Sequence, residues 1–343
     1  MHLFVGTYSF SFAGVEGNGE GIYSVLFDPE TGAFGEVRLV AKCRNPSSLA
    51  LSGDKSFLFA GREVFKGDEP AISSYAVVSG AKLKAISTLL LAGELPCHLA
   101  IGAGHNRLAS AQYWTGDVVV STIDEGMFKP PTYLTREGRG PNIKRQDGPH
   151  AHFIAFTNQD TVLHIVDLGT DSIVSHKLST GSVVLDTSTL RVSAGSGPRH
   201  MVINQAETRA WVVCELDESL IMLRRAGLGW VIDSVQPAFP TPLEEDGSAS
   251  AIRLSPDERN IYISGRRQSQ IAAFTNEGGS LGSYDCGGIC PRDFIITPDG
   301  NWIISANQNS NTLTSLRRDP ETGSLIQSGY SCKVGSPVAL IGN

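Results

Sequence analysis

Side chains that can bind anions or transfer protons recur at two places in this sequence. The first place is the start of a recurring short segment, which contributes His98, His150, His152, Arg199, His200 and Arg292. The second place is the end of the second strand of that segment, which contributes Tyr8, Arg62, Tyr113, Asp167, Glu215, Arg266, Arg267, Asn307 and Gln308. Arginine forks bind carboxylates and phosphates, while glutamate and histidine act as general bases and acids.

These two sets contain more cations than acids. Glu215 and Asp167 are too few to neutralise the arginines if all of them meet in one place. Buried cations must be paired or serve a ligand, so the excess predicts a small anionic ligand. For His98 and His200 the sequence favours a structural role, because both occupy the same repeat position and can form hydrogen bonds between packed strands.

The segment that carries the first set recurs along the whole chain. Its seven starts are Pro46, Pro96, Pro149, Pro198, Ser248, Pro291 and Pro337. Each start is followed by a short apolar strand, a turn such as Thr297-Pro-Asp-Gly, and three further strands. The mean length is 343/7, or 49 residues, and the residues after Pro337 and before Pro46 together complete one unit.

Four short strands in each unit of this length are typical of a β-propeller blade. The sequence therefore predicts an all-β, seven-bladed β-propeller, with residues 1–343 as a single domain and the last blade closed by both termini. Such a fold would bring both residue sets to one end of a central channel. Two β-sandwiches would not explain one repeat running through the whole length. The polar stretch Arg136–Gly148 is predicted to be an inserted loop near one face.

Composition disfavours several classes of partner and location. The net charge is −7 without basic runs, which predicts no nucleic-acid binding. No apolar run is long enough for a membrane span, and no secretory leader is visible at the N-terminus. The six cysteines are scattered, which favours reduced thiols in a cytoplasmic protein.

Several segments resemble those of one enzyme family. They are Gly148-Pro-His-Ala-His, Gly197-Pro-Arg-His-Met-Val, Cys214-Glu-Leu-Asp-Glu-Ser, Ser264-Gly-Arg-Arg-Gln-Ser-Gln-Ile, Gly6-Thr-Tyr and Pro291-Arg-Asp-Phe. Together they resemble the seven-bladed lactonase family, which contains bacterial propeller-type 6-phosphogluconolactonases and fungal carboxy-cis,cis-muconate cyclases. The most specific element is Gly-Pro-Arg-His-Met with Glu215 following 16 residues after Arg199.

The resemblance implies a site without metal or cofactor, built from one histidine, two arginines and a glutamate. Carried over to this chain, Arg199 and Glu215 take two of these roles. The second arginine is Arg266, by its place at the end of the second strand, with its neighbour Arg267 as the alternative, and the histidine is His150 or His152. Further residues expected to contact substrate are Arg267, Arg292, His200, Asp167, Tyr8, Tyr113 and Asn307.

The implied activity is hydrolysis of a sugar-acid lactone, first of all 6-phosphogluconolactone to 6-phosphogluconate. Lactone hydrolysis needs a base that activates water and a cation near the developing oxyanion. One alternative is a carboxy-cis,cis-muconate-type cycloisomerase, in which arginines hold a dicarboxylate and an acid–base group protonates an alkene carbon. Another alternative is a non-catalytic propeller that binds an anion or a protein. The expected partner is thus a small anionic lactone or dicarboxylate.

Overall fold

The chain folds mainly into short antiparallel strands. The computed structural model describes residues 1–12, 14–104, 106–181, 183–240 and 247–342. In chain order, the strands up to residue 134 are β1 (His2–Thr7), β2 (Gly21–Phe27), β3 (Phe34–Lys42), β4 (Pro46–Leu51), β5 (Phe57–Arg62), β6 (Ala71–Val78), β7 (Lys82–Leu90), β8 (Pro96–Ile101), β9 (Arg107–Gln112), β10 (Val118–Asp124), β11 (Met127–Phe128) and β12 (Thr132–Leu134).

The remaining strands recur at a similar spacing. They are β13 (Ala151–Thr157), β14 (Val162–Asp167), β15 (Ser172–Leu178), β16 (Val184–Arg191), β17 (Pro198–Ile203), β18 (Arg209–Cys214), β19 (Ser219–Ala226), β20 (Gly229–Pro237), β21 (Ala249–Leu254), β22 (Asn260–Gly265), β23 (Gln270–Thr275), β24 (Ser280–Asp285), β25 (Pro291–Ile296), β26 (Trp302–Asn307), β27 (Thr312–Arg318), β28 (Leu325–Lys333) and β29 (Pro337–Gly342). The helical elements of the described ranges are two three-residue 3-10 turns, Lys66–Asp68 and Ser79–Ala81.

These strands form seven sheets, each a blade. Blade 1 is β4 to β7, blade 2 is β8 to β12, and blades 3 to 6 each take the next four strands in chain order. Blade 7 has the order β29-β1-β2-β3, so both termini contribute to one sheet. The predicted seven-bladed β-propeller with a shared last blade is therefore confirmed.

The chain divides into two compact units. The continuous unit is 48–236, and the split unit combines 1–47 with 237–343. The single-domain organisation of residues 1–343 remains a prediction. No helix of the described ranges is long and apolar enough to span a membrane.

The hydrophobic core lies between neighbouring sheets of the same unit. In the continuous unit, one cluster packs Val166 and Ile173 of blade 3 against Met201, Val212 and Trp230 of blade 4. Each of these five residues is at most 4 % exposed. Because these strands are rich in branched apolar side chains, neighbouring blades of one unit bury their facing surfaces against each other. Blades 3 and 4, which carry the central candidate residues, are thus held rigidly together.

Candidate active site

A β-bulge recurs at the start of the first strand in several blades. In blade 4, Pro198 pairs with Cys214 and His200 pairs with Val213, so Arg199 is an extra residue without an opposite partner in the ladder. The equivalent extra residues in blades 2, 3 and 6 are Cys97, His152 and Arg292. Bulges re-aim a side chain away from the regular alternation. The fold therefore places His152, Arg199 and Arg292 at one equivalent structural position.

The same hairpin brings Glu215 next to Arg199. Glu215 directly follows β18, and its backbone N–H donates to the carbonyl of Gly197, 2.7 Å away, just before β17. Gly197 has a φ of +61°, and a Cβ there would lie 2.5 Å from the Leu216 side chain, so this tight approach requires glycine. Arg199 Nε then donates to Glu215 Oε2 at 2.7 Å, with both side chains 3 % exposed.

A second guanidinium reaches the same carboxylate from the inserted loop. Arg145 Nη2 donates to Glu215 Oε1 at 2.6 Å and to the Tyr113 hydroxyl at 3.3 Å. The Arg145 side chain is 31 % exposed, which sets it apart from the buried Arg199. Two cations on one carboxylate leave one positive charge in excess. We call Arg145, Arg199, Glu215 and Tyr113, with His152 and His200, the Glu215 site.

The loop that carries Arg145 is anchored on both sides of it. Arg136 donates through Nε to Asp167 Oδ2 at 2.8 Å. Gln146 is fully buried and donates through Nε2 to the Leu168 carbonyl and to Asp171 Oδ1, each at 2.8 Å. The predicted inserted loop is thus fastened to blade 3, and the backbone of Arg145 is fixed while its side chain extends over Glu215.

Aromatic and imidazole rings line this site. Arg199 Nη1 lies 3.1 Å from His200 Nε2, and because arginine only donates, that imidazole nitrogen accepts. The His200 ring lies 5.3 Å from the His152 ring and 5.5 Å from the His98 ring. His98 in turn packs 4.2 Å from Phe153. His98, Phe153 and His200 occupy equivalent positions after the bulge in blades 2, 3 and 4. Contacts among these rings therefore connect the three consecutive blades.

His150 is held differently from His152. Its Nδ1 lies 2.8 Å from the Tyr113 carbonyl and its Nε2 lies 3.0 Å from Asp147 Oδ1. Its ring stacks on Tyr113 at 4.7 Å with an interplanar angle of 17°. Both ring nitrogens of His150 therefore contact protein acceptors, and the side chain supports Tyr113. The bulge position and the nearby His200 favour His152 as the histidine of the site.

The local environment fixes the protonation state of three groups in or beside the site. Burial raises the pKa of Tyr113, although Arg145 opposes this shift, so the phenol is neutral near pH 7. Burial also raises the pKa of Cys214, which precedes Glu215, so this thiol is not a thiolate nucleophile. The carboxylate of Glu215 raises the pKa of Arg145 further above that of a free arginine, so Arg145 is a permanent cation.

Strand register separates the candidates at the end of the second strand. Tyr113, Glu215 and Arg266 each follow the residue paired with the start of the first strand. Asp167 and Asn307 lie one residue earlier, so their side chains project in the opposite sense.

Protein groups occupy the side chains of these two earlier residues. Asp167 accepts from Arg136 and from the backbone of His150 and Thr170. Asn307 donates to Thr314 and accepts from Ser305. Both are fully buried, and their placement argues against the expected substrate contact.

The predicted residues Tyr8, Arg266, Arg267 and Arg292 belong to the split unit. Arg292 lies over the Tyr8 ring at 5.0 Å. Arg266 donates through Nε to the Ser248 carbonyl at 3.1 Å and is half-buried, whereas Arg267 is exposed. Because the register makes Arg266 the equivalent of Glu215, it is favoured over Arg267. Their contribution to the Glu215 site remains a prediction.

Sequence reasoning missed Arg145 and Gln146. Both lie in the inserted loop, outside the repeat register that identified the other candidates. The available signal was the density of arginines in that loop, with Arg136, Arg139 and Arg145 within ten positions. Among the described residues, no group of three or more His, Cys, Asp or Glu side chains could hold a metal ion.

Comparisons with known proteins agree with this architecture along the whole chain. The family described as "Lactonase, 7-bladed beta-propeller" matches residues 2–341. A 6-phosphogluconolactonase of Bacillus subtilis is 28% identical over 348 residues, covering 98% of this chain and 97% of that protein. A 6-phosphogluconolactonase of Formosa agariphila is 29% identical and covers 90% of this chain and 91% of its own length.

A solved structure shows the same fold. The periplasmic gluconolactonase PpgL of Pseudomonas aeruginosa superposes with a TM-score of 0.91, covering 99% of this chain and 98% of that chain. Its sequence identity is 24%, so this likeness concerns the fold alone.

Proposed function

The chain belongs to the seven-bladed β-propeller lactonase family, and on that basis we propose that it hydrolyses a sugar-acid lactone, specifically 6-phosphogluconolactone. The observation that carries the proposal is the buried Arg199–Glu215 pair with imidazole rings beside it. An acid, a fixed cation and histidines in one place meet the requirements of lactone hydrolysis. The cycloisomerase and non-catalytic alternatives have no comparable support among the relatives.

Arg199 is proposed to stabilise the oxyanion. Attack of water on the lactone carbonyl converts the carbonyl oxygen into an anion, which a fixed cation in a dry site stabilises strongly. Glu215 and His200 hold Arg199 in place, so its guanidinium does not need to reorient when the oxyanion forms. The Tyr113 hydroxyl, kept neutral by burial, can donate a further hydrogen bond to a substrate oxygen.

Glu215 and His152 are proposed to handle the protons. One of them takes a proton from the attacking water as the carbon–oxygen bond forms. When the tetrahedral intermediate collapses, the bond to the ring oxygen breaks and that oxygen takes up a proton, giving the open hydroxy acid. The two residues lie on adjacent blades, on either side of Arg199 and His200, so one could supply the base and the other the acid.

Two finer assignments accompany this proposal. Arg266, Arg292 and Tyr8 are proposed to contribute substrate contacts, as the resemblance implies. A cytoplasmic location is supported by the six cysteines, which are all thiols rather than disulfides. Fractionation of cells that express the native chain would test the location.

A lactone panel tests the activity. Purified protein is mixed with 6-phosphogluconolactone or with unphosphorylated gluconolactone, and proton release is followed in weak buffer. Spontaneous hydrolysis and heat-denatured protein provide the baselines. We expect acceleration with the phosphorylated lactone. Absence of acceleration on every lactone, or conversion of carboxy-cis,cis-muconate in a parallel ultraviolet assay, would overturn the proposal.

A further inference from the structure

Arg145 holds an unusual position for a residue so close to a buried carboxylate. It arises from an inserted loop, ends within 2.6 Å of Glu215, and keeps about a third of its side chain in solvent. We propose that Arg145 is a switching arginine: it pairs with Glu215 while the site is empty, and it turns to the phosphate of a phosphorylated lactone when that substrate binds. The inference rests on the proposed lactonase function and names the substrate group that this function selects.

The geometry favours movement of Arg145 and not of Arg199. Arg199 is 3 % exposed and contacts both Glu215 and His200, so turning it would break a buried pair. Arg145 can leave Glu215 without isolating a charge, because Arg199 still neutralises the carboxylate. The anchors Arg136 and Gln146 hold the loop backbone, so only the flexible side chain needs to move.

Charge balance points to an anion as the trigger. The two guanidiniums and one carboxylate of the Glu215 site carry one excess positive charge. A phosphate compensates that excess and offers a planar guanidinium two oxygens in fork geometry. A neutral lactone offers no such partner, so Arg145 would stay on Glu215.

The switch couples recognition to chemistry. With Arg145 on Glu215, both carboxylate oxygens accept charge-assisted hydrogen bonds, which makes the carboxylate a poor base. When Arg145 turns to the phosphate, Glu215 Oε1 is released to accept a proton from water. Binding of the phosphate would thus improve both substrate affinity and the base.

Arg145→Ala tests this inference through the difference between two substrates. KM for the phosphorylated lactone should rise at least about 10-fold, since a charge-assisted contact is lost. The kcat/KM for the unphosphorylated lactone should increase, because Glu215 loses one of the two guanidiniums that weaken it as a base. Arg145→Lys should restore part of the affinity. The matched control is Arg139→Ala, an exposed arginine of the same loop, which should leave both substrates unchanged.

Equal losses with both lactones would overturn the switch, since a residue that only braces the loop cannot distinguish them. An unchanged KM for the phosphorylated lactone would overturn it as well. A binding experiment separates this inference from the proposed function. Inorganic phosphate should raise the melting temperature of the wild-type protein and of Arg139→Ala, but not of Arg145→Ala. If phosphate stabilises the wild-type protein but not Arg145→Ala, while the wild-type protein hydrolyses none of the lactones, that result would support anion binding by Arg145 and reject the proposed lactonase function. Equal stabilisation of all three proteins would reject the switch.

Discussion

Arg199 and Glu215 are 16 positions apart in the sequence and 2.7 Å apart across the bulged hairpin of blade 4. The bulge adds Arg199 to β17 just after Pro198. Pro198 pairs with Cys214, the last residue of β18, so Glu215 follows directly after that strand. Both side chains are almost fully buried. A buried pair of this kind stabilises little by itself, but removal of one partner leaves an uncompensated charge. Structure and chemistry at this pair must therefore be tested separately.

Glu215→Gln should reduce kcat at least about 100-fold, because the amide cannot accept the proton of water. It should also lower the free energy of unfolding by roughly 3 kcal/mol, since Arg199 loses its counter-ion. Rates are measured per folded molecule, well below the melting temperature. The double variant Arg199→Gln/Glu215→Gln removes both charges and should regain stability without regaining activity. Recovery of activity together with stability would assign the pair a purely structural role.

Arg199→Ala should reduce kcat for phosphorylated and unphosphorylated lactones alike, by roughly 100-fold or more. The reason is that the lactone carbonyl, which both substrates share, becomes the oxyanion. Steady-state kinetics on both substrates provide the measurement. Arg253→Ala is a control, since it removes a partly buried arginine of blade 5 that is also paired with an acid, Asp293 in blade 6. A loss confined to KM of the phosphorylated lactone would move Arg199 from the oxyanion to the phosphate.

His152→Asn and His150→Asn should separate the two histidines that the sequence left open. His152 occupies the bulge position beside His200, so its replacement should lower kcat by about 100-fold. His150 supports Tyr113 through stacking and a 2.8 Å contact, so its replacement should mainly lower the melting temperature. Circular dichroism melts and kinetics on the same samples compare the two. The reverse pattern would make His150 the proton-transfer residue.

The repeat made the architecture predictable from sequence. Turns such as Thr297-Pro-Asp-Gly and Ser255-Pro-Asp-Glu, and short strands rich in apolar residues, recur at nearly constant spacing, because each blade packs against its neighbours in the same way. The shared last blade followed from circular closure of the repeat. Proline was an imperfect marker, however. In blade 3, strand pairing makes Ala151 and not Pro149 the equivalent of Pro198. That shift of two residues is why His150 and His152 could not be distinguished.

The site was predictable only where it follows the repeat. Arg199 and Glu215 differ from the residues of other blades at fixed positions, so their excess charge was visible in the sequence. Arg145 has no equivalent in another blade, and its approach to Glu215 depends on long-range anchors such as Gln146 on Asp171. The sequence also did not show to which side of its strand each candidate side chain projects. One residue of register decides whether an acid such as Asp167 faces a ligand or secures a loop.

Acid should destabilise the protein through His164, which is buried between blades 3 and 4. Burial and Arg225 Nη1, 3.0 Å from its Nε2, lower the pKa of His164 to about 3. The ring also contacts the hydroxyls of Thr157 and Ser175 and the indole N–H of Trp230. The unfolded chain has an ordinary histidine pKa near 6.5, so it binds more protons than the folded chain between about pH 3 and pH 6.5. Stability from neutral His164 is therefore complete above pH 6.5 and is lost as the pH falls.

Urea titrations should show the free energy of unfolding falling by roughly 2 kcal/mol between pH 7.5 and pH 5 from this residue. His164→Gln should lower stability at pH 7.5 but flatten that slope, whereas His2→Gln, at a strand end in the split unit, should keep it. Parallel pH profiles for the wild-type protein and His164→Gln would show that another group accounts for the acid sensitivity.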